Sequence, residues 1–287
     1  MDISNLPGVT NAQLIQGLNI VLEEAKFSQN VRGDFSARYD YYCKWAMDSV
    51  RTLSSLIAQD DVAALITTTR HWSLVERTVV HGNETVGVLY LLNTELSQRI
   101  QEIERMIQFV QNSINQWQRY EGRLIVPDSN IFLHEENQFD EIDWRSRLLV
   151  PRREDVHLIL PALVIRELDV KKRFGRGNPV SSTNPMEVRT RARLTLRKLN
   201  EVLPSPDSHY YLSQTTASGL GFISLTLLLD DINHIRLSDP DSEILDRALA
   251  LKQTTGKEVT ILTRDTSMSF SARNLGLKCI LLTDQGD

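Results

Sequence analysis

Short apolar runs rich in valine, isoleucine and leucine alternate with stretches of helical periodicity after about residue 120. The runs that we expect to form strands are Arg123–Val126, Val156–Leu160, Phe222–Leu228, Val259–Thr263 and Lys278–Leu282. The expected helices lie near 162–173, 185–203, 241–255 and 266–275. Because this alternation needs crossover connections, it predicts a parallel sheet with helices on both faces. Ligands of such sheets gather beyond the carboxyl ends of the strands, where we look for functional residues.

The first part of the chain follows a different pattern, since its apolar residues recur at helical spacing and β-branched runs are few. We therefore predict an all-α N-terminal helical domain over 1–120 and an α/β domain over 121–287. The helical domain is expected to serve oligomerisation or regulation.

Three helices are expected in the first domain. Thr10 or Asn11 caps a helix that runs to about Phe27, and a second helix is expected over about Ser36–Ala58. The segment Ser73–Val80 is interpreted as a strand or a loop.

The third helix is long, from about Glu84 to Arg119, and carries a sustained apolar stripe. The stripe residues recur at steps of three or four and are Leu89, Leu92, Leu96, Ile100, Ile103, Ile107, Val110, Ile114 and Trp117. Such a stripe packs against the earlier helices or forms part of a homodimer interface, and the sequence leaves both alternatives open.

Charge and cysteine content narrow the class of protein. The chain has 32 lysines and arginines against 37 acids, which argues against a generally basic nucleic-acid coat protein but permits a local basic surface. Cys43 and Cys279 have neither a metal-ligand spacing nor a disulfide pattern, so we expect a cytoplasmic protein. The N-terminal residues do not resemble a signal peptide, and the longest nearly apolar run, 219–229, is too short to span a bilayer.

Four acids stand near the carboxyl ends of the expected strands or in the helices that follow them. Asp128 follows the run Leu-Ile-Val-Pro, and Asp265 follows Val-Thr-Ile-Leu-Thr-Arg. Glu167 lies about two turns into the helix after Pro161, and Asp241 begins the helix Asp-Ser-Glu-Ile-Leu. The topology therefore predicts that the four carboxylates meet at one edge of the sheet.

Each acid alone also has an ordinary structural interpretation. Asp241 and Asp265 are suited to cap helices, and Asp128 is suited to cap a turn. Glu167 is placed to pair with Lys171 four residues on. Gathered at one edge, however, the four carboxylates would repel one another unless protons or cations neutralise them.

A cluster of carboxylate oxygens suits Mg²⁺ or Mn²⁺, whereas zinc normally recruits cysteine or histidine. Hydrolysis of a phosphodiester is the reaction that we expect from such a cluster. In a two-metal site, one ion lowers the pKa of the attacking water and the second neutralises the leaving oxygen.

At these residues the sequence resembles the PIN-domain nuclease family, most closely the PIN domains of PhoH-like ATPases and of eukaryotic RNA-surveillance nucleases. The matching stretches are LIVPDSNIFL, LPALVIRELDVKK, VRTRARLTLRKLNEVL, DPDSEILDRAL and VTILTRDTSMSFSARNLGL, within about residues 122–284. The resemblance implies a three-layer α/β/α domain with a central parallel sheet. It also implies that Asp128, Glu167, Asp241 and Asp265 are the catalytic, metal-binding acids.

The resemblance extends to helper residues. Asn130 takes the place of the family's asparagine after the first acid, where its amide orients the first turn, while Thr263 and Ser267 flank the last acid and are suited to bind metal water or phosphate. Many relatives carry a further acid where this chain has Ser267 and Ser269, which leaves the number of metals open. Asp246 is interpreted as a residue of the helix surface.

Basic residues are concentrated beside the second acid, with nine of them against two acids over 169–198. They are Lys171, Lys172, Arg173, Arg176, Arg189, Arg191, Arg193, Arg197 and Lys198. Arg189, Arg193 and Arg197 recur every four residues on one helix face, and arginine matches phosphate oxygens well. The alternative is a solvated helix face. The segment 175–185 has the composition of a linker and is expected to be a loop that contacts the substrate.

The leading hypothesis is a metal-dependent endoribonuclease that cuts single-stranded or loop RNA and uses Mg²⁺ or Mn²⁺. One alternative is a catalytically weak PIN scaffold that binds nucleic acid or protein, and another is a toxin-type or defence nuclease that acts on RNA or DNA. The expected partners are an RNA substrate, a second copy bound through the N-terminal helices and an inhibitory protein, with no membrane.

Overall fold

A computed structural model of the protein describes residues 5–81, 85–135, 137–174, 186–205, 207–213, 221–230 and 234–282. The chain forms two compact units. One unit comprises Met1–Arg119 with Gln253–Gly256, and the other comprises Tyr120–Lys252 with Lys257–Asp287. The loop expected over 175–185 lies outside the described residues.

The N-terminal unit is helical, as the spacing of its apolar residues predicts. Its helices are α1 (Asn11–Asn30), α2 (Phe35–Leu53), α3 (Gln59–Leu65), α4 (Thr69–His81) and α5 (Thr85–Gln118). Thr10 caps α1, since its hydroxyl accepts from the Gln13 amide at 3.3 Å and the Gln13 side chain accepts from the Thr10 amide at 2.8 Å. Asp34 caps α2 by accepting from the Ala37 amide at 3.0 Å.

The interpretation of Ser73–Val80 as a strand or a loop is wrong, because this segment belongs to α4. The helix buries Leu74 and His71, and the His71 Nδ1 atom lies 2.9 Å from the Tyr42 hydroxyl. Tertiary packing therefore overrides the weak helix propensity of this valine-rich stretch.

The apolar stripe of α5 packs inside its own unit. Its buried members are Leu92, Leu96, Ile100, Ile103, Val110 and Trp117. Most of them join one core with α1 and α2, to which Leu14, Leu18, Val21 and Trp45 contribute. Intramolecular packing thus accounts for the stripe, and a homodimer through the N-terminal helices stays a prediction.

The second unit is built on a six-stranded sheet. Its strands are β1 (Arg123–Pro127), β2 (Val156–Pro161), β3 (His209–Ser213), β4 (Ile223–Leu228), β5 (Val259–Thr263) and β6 (Lys278–Leu281). Its helices are α6 (Ser129–His134), α7 (Trp144–Leu148), α8 (Ala162–Phe174), α9 (Val188–Val202), α10 (Pro240–Thr255) and α11 (Thr266–Asn274). The mixed α/β class with N-terminal helices is confirmed.

The strand order is β3-β4-β2-β1-β5-β6, and every pairing except that of β3 with β4 is parallel. The central strands β1, β2 and β5 are almost wholly buried, which explains their continuous apolar runs. The chain enters β1 through Gly122, whose φ of 92° and closeness to the Asp155 carbonyl leave no room for a side chain. The expected sheet is therefore confirmed, with the addition of the antiparallel edge strand β3.

Among the described residues, no helix combines the length and the apolar character needed to cross a lipid bilayer.

We expect that Ile103→Ala destabilises the N-terminal unit by about 2–5 kcal/mol, because Ile103 is fully buried in the helical core and its truncation leaves a cavity. Denaturant unfolding followed by circular dichroism measures the change. Phe109→Ala is the matched control on the same helix, since the Phe109 side chain is 51% exposed. Equal destabilisation by both substitutions would contradict the assignment of the buried face of α5.

Candidate active site

The four acids predicted from the sequence lie around the carboxyl edge of the sheet. Asp128 directly follows β1, Asp265 follows β5 after one residue, and Glu167 lies in α8, which follows β2. Asp241 lies in the first turn of α10, which follows the connection from β4. Because β4, β2, β1 and β5 are neighbouring parallel strands, their carboxyl ends share one edge and bring these residues together.

Asp128 lies at the centre of this group and is held rigidly. Its side chain is only 1% exposed. One carboxylate oxygen accepts from the Asn130 amide at 3.2 Å, and the other accepts from the Asn130 side chain at 3.0 Å and from the Thr263 hydroxyl at 2.9 Å. These bonds fix the carboxylate, and because an ionised carboxylate has about four acceptor positions, they leave capacity for a cation.

Thr263 connects two of the acids. Its hydroxyl donates to Asp128 Oδ2 and accepts from the Asp265 amide at 2.9 Å. The Asp265 carboxylate accepts from the Met268 amide at 3.0 Å and so caps α11. Asp265 therefore has a capping role, which uses one of its carboxylate oxygens.

The capping interpretation fails for Asp241. The cap of α10 is Asp239, whose carboxylate accepts from the Ser242 amide at 2.9 Å and from the Ser242 hydroxyl at 2.6 Å. Asp241 is half-buried one position inside the helix, where no cap is needed.

Glu167 and Asp241 carry the electrostatic signature of the cluster. Burial is the main cause that raises the pKa of the Glu167 carboxyl, a hydrogen bond with Ser129 opposes it, and the charges of Asp128 and Asp241 raise it further. Burial likewise raises the pKa of Asp241, followed by the charges of Asp128 and Asp265. It is therefore unfavourable for either carboxyl to ionise while its neighbours are also charged. A bound cation would relieve this cost.

The carboxylates nevertheless stay apart. Among the described residues, the one group of three or more potential ligands with atoms all within 4.8 Å is Asp230, His234 and Glu243, a different cluster.

The predicted helper residues divide into two kinds. Asn130 and Thr263 hold the Asp128 carboxylate directly, as the distances above show. Ser267 is exposed in the first turn of α11, so its role stays a prediction, while Ser269 is buried. Asp246 lies apart on the helix surface, where it pairs with Arg247 at 2.6 Å.

Sequence reasoning missed a buried ion-pair group beside the cluster. Glu135, which follows α6 and is 3% exposed, lies 2.8 Å from the guanidinium groups of both Arg147 and Arg264. Because Arg264 stands between Thr263 and Asp265, this group helps to fix the segment that carries the last acid. No sequence spacing indicates it, since Glu135 and Arg264 are 129 positions apart.

Most of the predicted basic residues lie on one surface. Lys171, Lys172 and Arg173 form the last turn of α8, and Arg189, Arg193 and Arg197 are exposed along α9. We call these six residues the basic surface. The Arg189 Nε atom donates to the Lys172 carbonyl at 3.2 Å, so the two helices present their charges side by side.

Three of the nine basic residues are not part of this surface. Arg176 lies outside the described residues. Arg191 is only 2% exposed, and Lys198 pairs with Asp140 at 3.4 Å. The basic surface is therefore smaller than the count of basic residues suggests. It adjoins the acids at Lys171, whose charge acts on the Glu167 carboxyl, and α9 packs against both α6 and α8.

One comparison with known proteins identifies a family. The family model described as PIN domain matches residues 125–282, which is more than half of the chain. A comparison with curated proteins returns no match. A solved domain of a functionally unknown protein from Methanocaldococcus jannaschii DSM 2661 is 14% identical, covers 57% of this chain and 94% of its own, and has a TM-score of 0.34. That likeness carries no argument about function.

We expect that Glu167→Gln raises the melting temperature of the metal-free protein by a few degrees at neutral pH and changes it less at mildly acidic pH. A raised carboxyl pKa means that the folded state holds a proton which the unfolded chain releases, so stability is lost as the pH rises through the folded pKa. Glutamine removes this penalty and keeps an acceptor for Ser129. Differential scanning calorimetry at both pH values measures the effect.

The control for this prediction is Glu258→Gln, because neighbouring lysines lower the pKa of the exposed Glu258 carboxyl and its charge is not opposed by the fold. This variant should not become more stable at neutral pH. A Glu167→Gln protein that loses the same stability at both pH values would show that ionisation of the buried Glu167 carboxyl does not limit stability.

Proposed function

The chain belongs to the PIN-domain family, whose members are generally metal-dependent nucleases, and from this premise we propose that it is a divalent-metal-dependent endoribonuclease acting on single-stranded or loop RNA. The observation that carries the proposal is the meeting of Asp128, Glu167, Asp241 and Asp265 at one sheet edge, where burial and mutual charge raise the pKa values of Glu167 and Asp241. Such perturbed carboxyls mark functional sites more often than structural ones.

The donor set fits a hard divalent cation. We propose that the four carboxylates hold Mg²⁺ or Mn²⁺, because all of the donors are oxygens and these ions prefer oxygen ligands. When bound, the metal supplies an activated water and neutralises charge on the phosphate. The buried, hydrogen-bonded state of Asp128 supports its role as the central ligand.

The remaining residues of the site hold the acids in position. Asn130 and Thr263 keep the Asp128 carboxylate in one orientation, and Thr263 also fixes the backbone that carries Asp265. Orientation of this kind matters because a ligand displaced by about 1 Å costs about 100-fold in rate. The exposed Ser267 hydroxyl is proposed to contact a phosphate oxygen or a metal-bound water.

The substrate class follows from charge. The basic surface offers six cationic side chains, two of which, Lys172 and Arg173, also pair with Asp169. Its excess of positive charge suits a polyanion whose backbone runs from this surface to the acidic edge. Arginine forks match phosphate oxygens, so we propose that the basic surface binds the nucleic-acid backbone. Acids alone at this edge would repel phosphate, and the neighbouring cations offset that repulsion.

We expect the purified protein to cleave labelled single-stranded RNA in the presence of Mg²⁺ or Mn²⁺, and we expect EDTA to abolish this cleavage. Asp128→Asn and Asp265→Asn should each lower the rate by about 100-fold or more, because even the partners of metal ligands are worth about 10–100-fold. Asparagine keeps the caps of α6 and α11, so the fold is preserved. Gel analysis of the products over time measures the rate.

The matched control for these variants is Asp246→Asn, since Asp246 is an aspartate of the same domain that pairs with Arg247 on the helix surface. It should cleave as fast as the unmodified protein. Cleavage that survives both EDTA and the two site substitutions would contradict the proposal. A parallel assay with single-stranded DNA of the same sequence tests whether RNA is the preferred substrate. Binding without cleavage would identify a scaffold instead.

The basic surface gives a separate prediction. We expect that Arg189→Ala with Arg193→Ala weakens RNA binding and reduces the slope of log K against log salt by about 1.4, because each lost phosphate contact on a single strand contributes about 0.7. Fluorescence anisotropy over a series of salt concentrations, without divalent metal, measures both quantities.

The control for the double variant is Lys252→Ala with Lys278→Ala, which also removes two positive charges. Lys278 begins β6, so it lies at the amino edge of the sheet, opposite the acids. An unchanged salt slope in Arg189→Ala/Arg193→Ala, or an equal reduction in the control, would assign these arginines to a solvated helix face.

A further inference from the structure

A second group of potential metal ligands lies in the connection between β4 and α10. Asp230 follows β4, His234 lies within the connection, and Glu243 lies in the first turn of α10. One carboxylate oxygen from each acid and one imidazole nitrogen lie within 4.8 Å of one another. Unlike the four-acid edge, this group contains a nitrogen donor.

Glu243 is the most buried member of the group, with no exposed surface. Its Oε2 atom accepts from the Leu237 backbone amide at 2.8 Å. Its Oε1 atom lies 2.6 Å from His234 Nε2, so a proton must occupy the space between them. A cation that takes the place of this proton would keep both atoms satisfied.

Asp230 shows a similar division between its two oxygens. Its Oδ2 atom accepts from Arg236 Nε at 2.6 Å. Its Oδ1 atom is buried and has no hydrogen-bond partner among the residues that the structure describes. The Arg236 guanidinium already pairs with this carboxylate through Oδ2. The buried Oδ1 without a donor is nevertheless unfavourable, and a bound cation would satisfy it.

The hydrogen bonds around the group have the arrangement of supporting contacts in metal sites. Arg236 and Leu237, from the same connection, each donate to one oxygen of a carboxylate. In metal sites such outer donors orient the ligating carboxylates. Arg247 balances part of the negative charge, but its Nε atom is 3.8 Å from Glu243 Oε1 and its Nη2 atom donates to Asp246.

We propose that Asp230, His234 and Glu243 form a binding site for a transition metal of the zinc type, separate from the four-acid edge. Imidazole nitrogen combined with carboxylate oxygens suits Zn²⁺, whereas Mg²⁺ prefers oxygen ligands alone. Binding through His234 Nε2 requires the neutral imidazole to carry its proton on Nδ1 instead of Nε2, and three protein ligands leave a fourth position for water. The metal joins the end of β4 to the start of α10.

The test measures zinc bound per chain by equilibrium dialysis and elemental analysis, in a protein whose four-acid edge is disabled by Asp128→Asn and Asp265→Asn. We expect this parent to bind one zinc per chain. Because loss of an outer hydrogen bond already weakens metal sites by about 10–100-fold, removal of the imidazole in His234→Gln should weaken zinc binding by about 100-fold or more. Asp230→Asn should also weaken zinc binding.

The matched control is His134→Gln in the same parent, which removes an imidazole elsewhere in the unit and should leave zinc binding unchanged. Circular dichroism checks that each variant is folded, and zinc should raise the melting temperature of the parent and the control but not of His234→Gln. No zinc on the parent, equal zinc on His234→Gln, or equal loss in His134→Gln would overturn the proposal. The result does not depend on nuclease activity.

Discussion

The burial of neighbouring carboxylates at the carboxyl edge of the sheet is the constraint on which the candidate site depends. Asp128 is nearly inaccessible to water, yet three hydrogen bonds from Asn130 and Thr263 support its charge. Glu167 has a hydrogen bond with Ser129, but burial with neighbouring charge still raises the pKa values of both Glu167 and Asp241. The fold thus fixes the Asp128 carboxylate by hydrogen bonds, whereas ionisation of Glu167 and Asp241 is disfavoured until a cation binds near them.

The strand order explains why the acids meet. From β1 the chain proceeds outward through β2 to β4, and it then returns to the opposite side of β1 to form β5. β1 is therefore the point at which the direction of the sheet reverses, and crevices open beyond such points. Asp128 lies at this point, and Thr263 bonds it to the start of the segment that carries Asp265. The geometry of the candidate site is consequently a property of backbone topology, reinforced by one threonine.

Sequence patterns predicted what depends on local chemistry and missed what depends on distant partners. The buried strands β1, β2 and β5 were predictable because short, continuous β-branched runs bounded by polar residues rarely form anything other than a buried strand. The edge strand β3 was not, since His209–Ser213 has no apolar run and is defined by pairing with β4. The assignment of the four acids to a site stays a prediction: Asp128 and Asp265 stand close behind strands, whereas Asp241 follows a long connection from β4 and was assigned through the family resemblance. The contact of Glu135 with Arg264 was not, because it joins residues that the fold alone brings together.

The first turn of α10 links the two clusters of acids. Asp241 and Glu243 are two positions apart, and such residues lie on different faces of a helix. Asp241 therefore belongs to the acidic edge while Glu243 is buried against His234 and the Leu237 amide. Both side chains are attached to one rigid helical turn. The contacts that Glu243 makes with His234 and the Leu237 amide therefore also fix the direction of Asp241. The connection after β4 thereby has a structural reason to be held tightly, because a small rotation of this turn would move one of the four carboxylates away from the others.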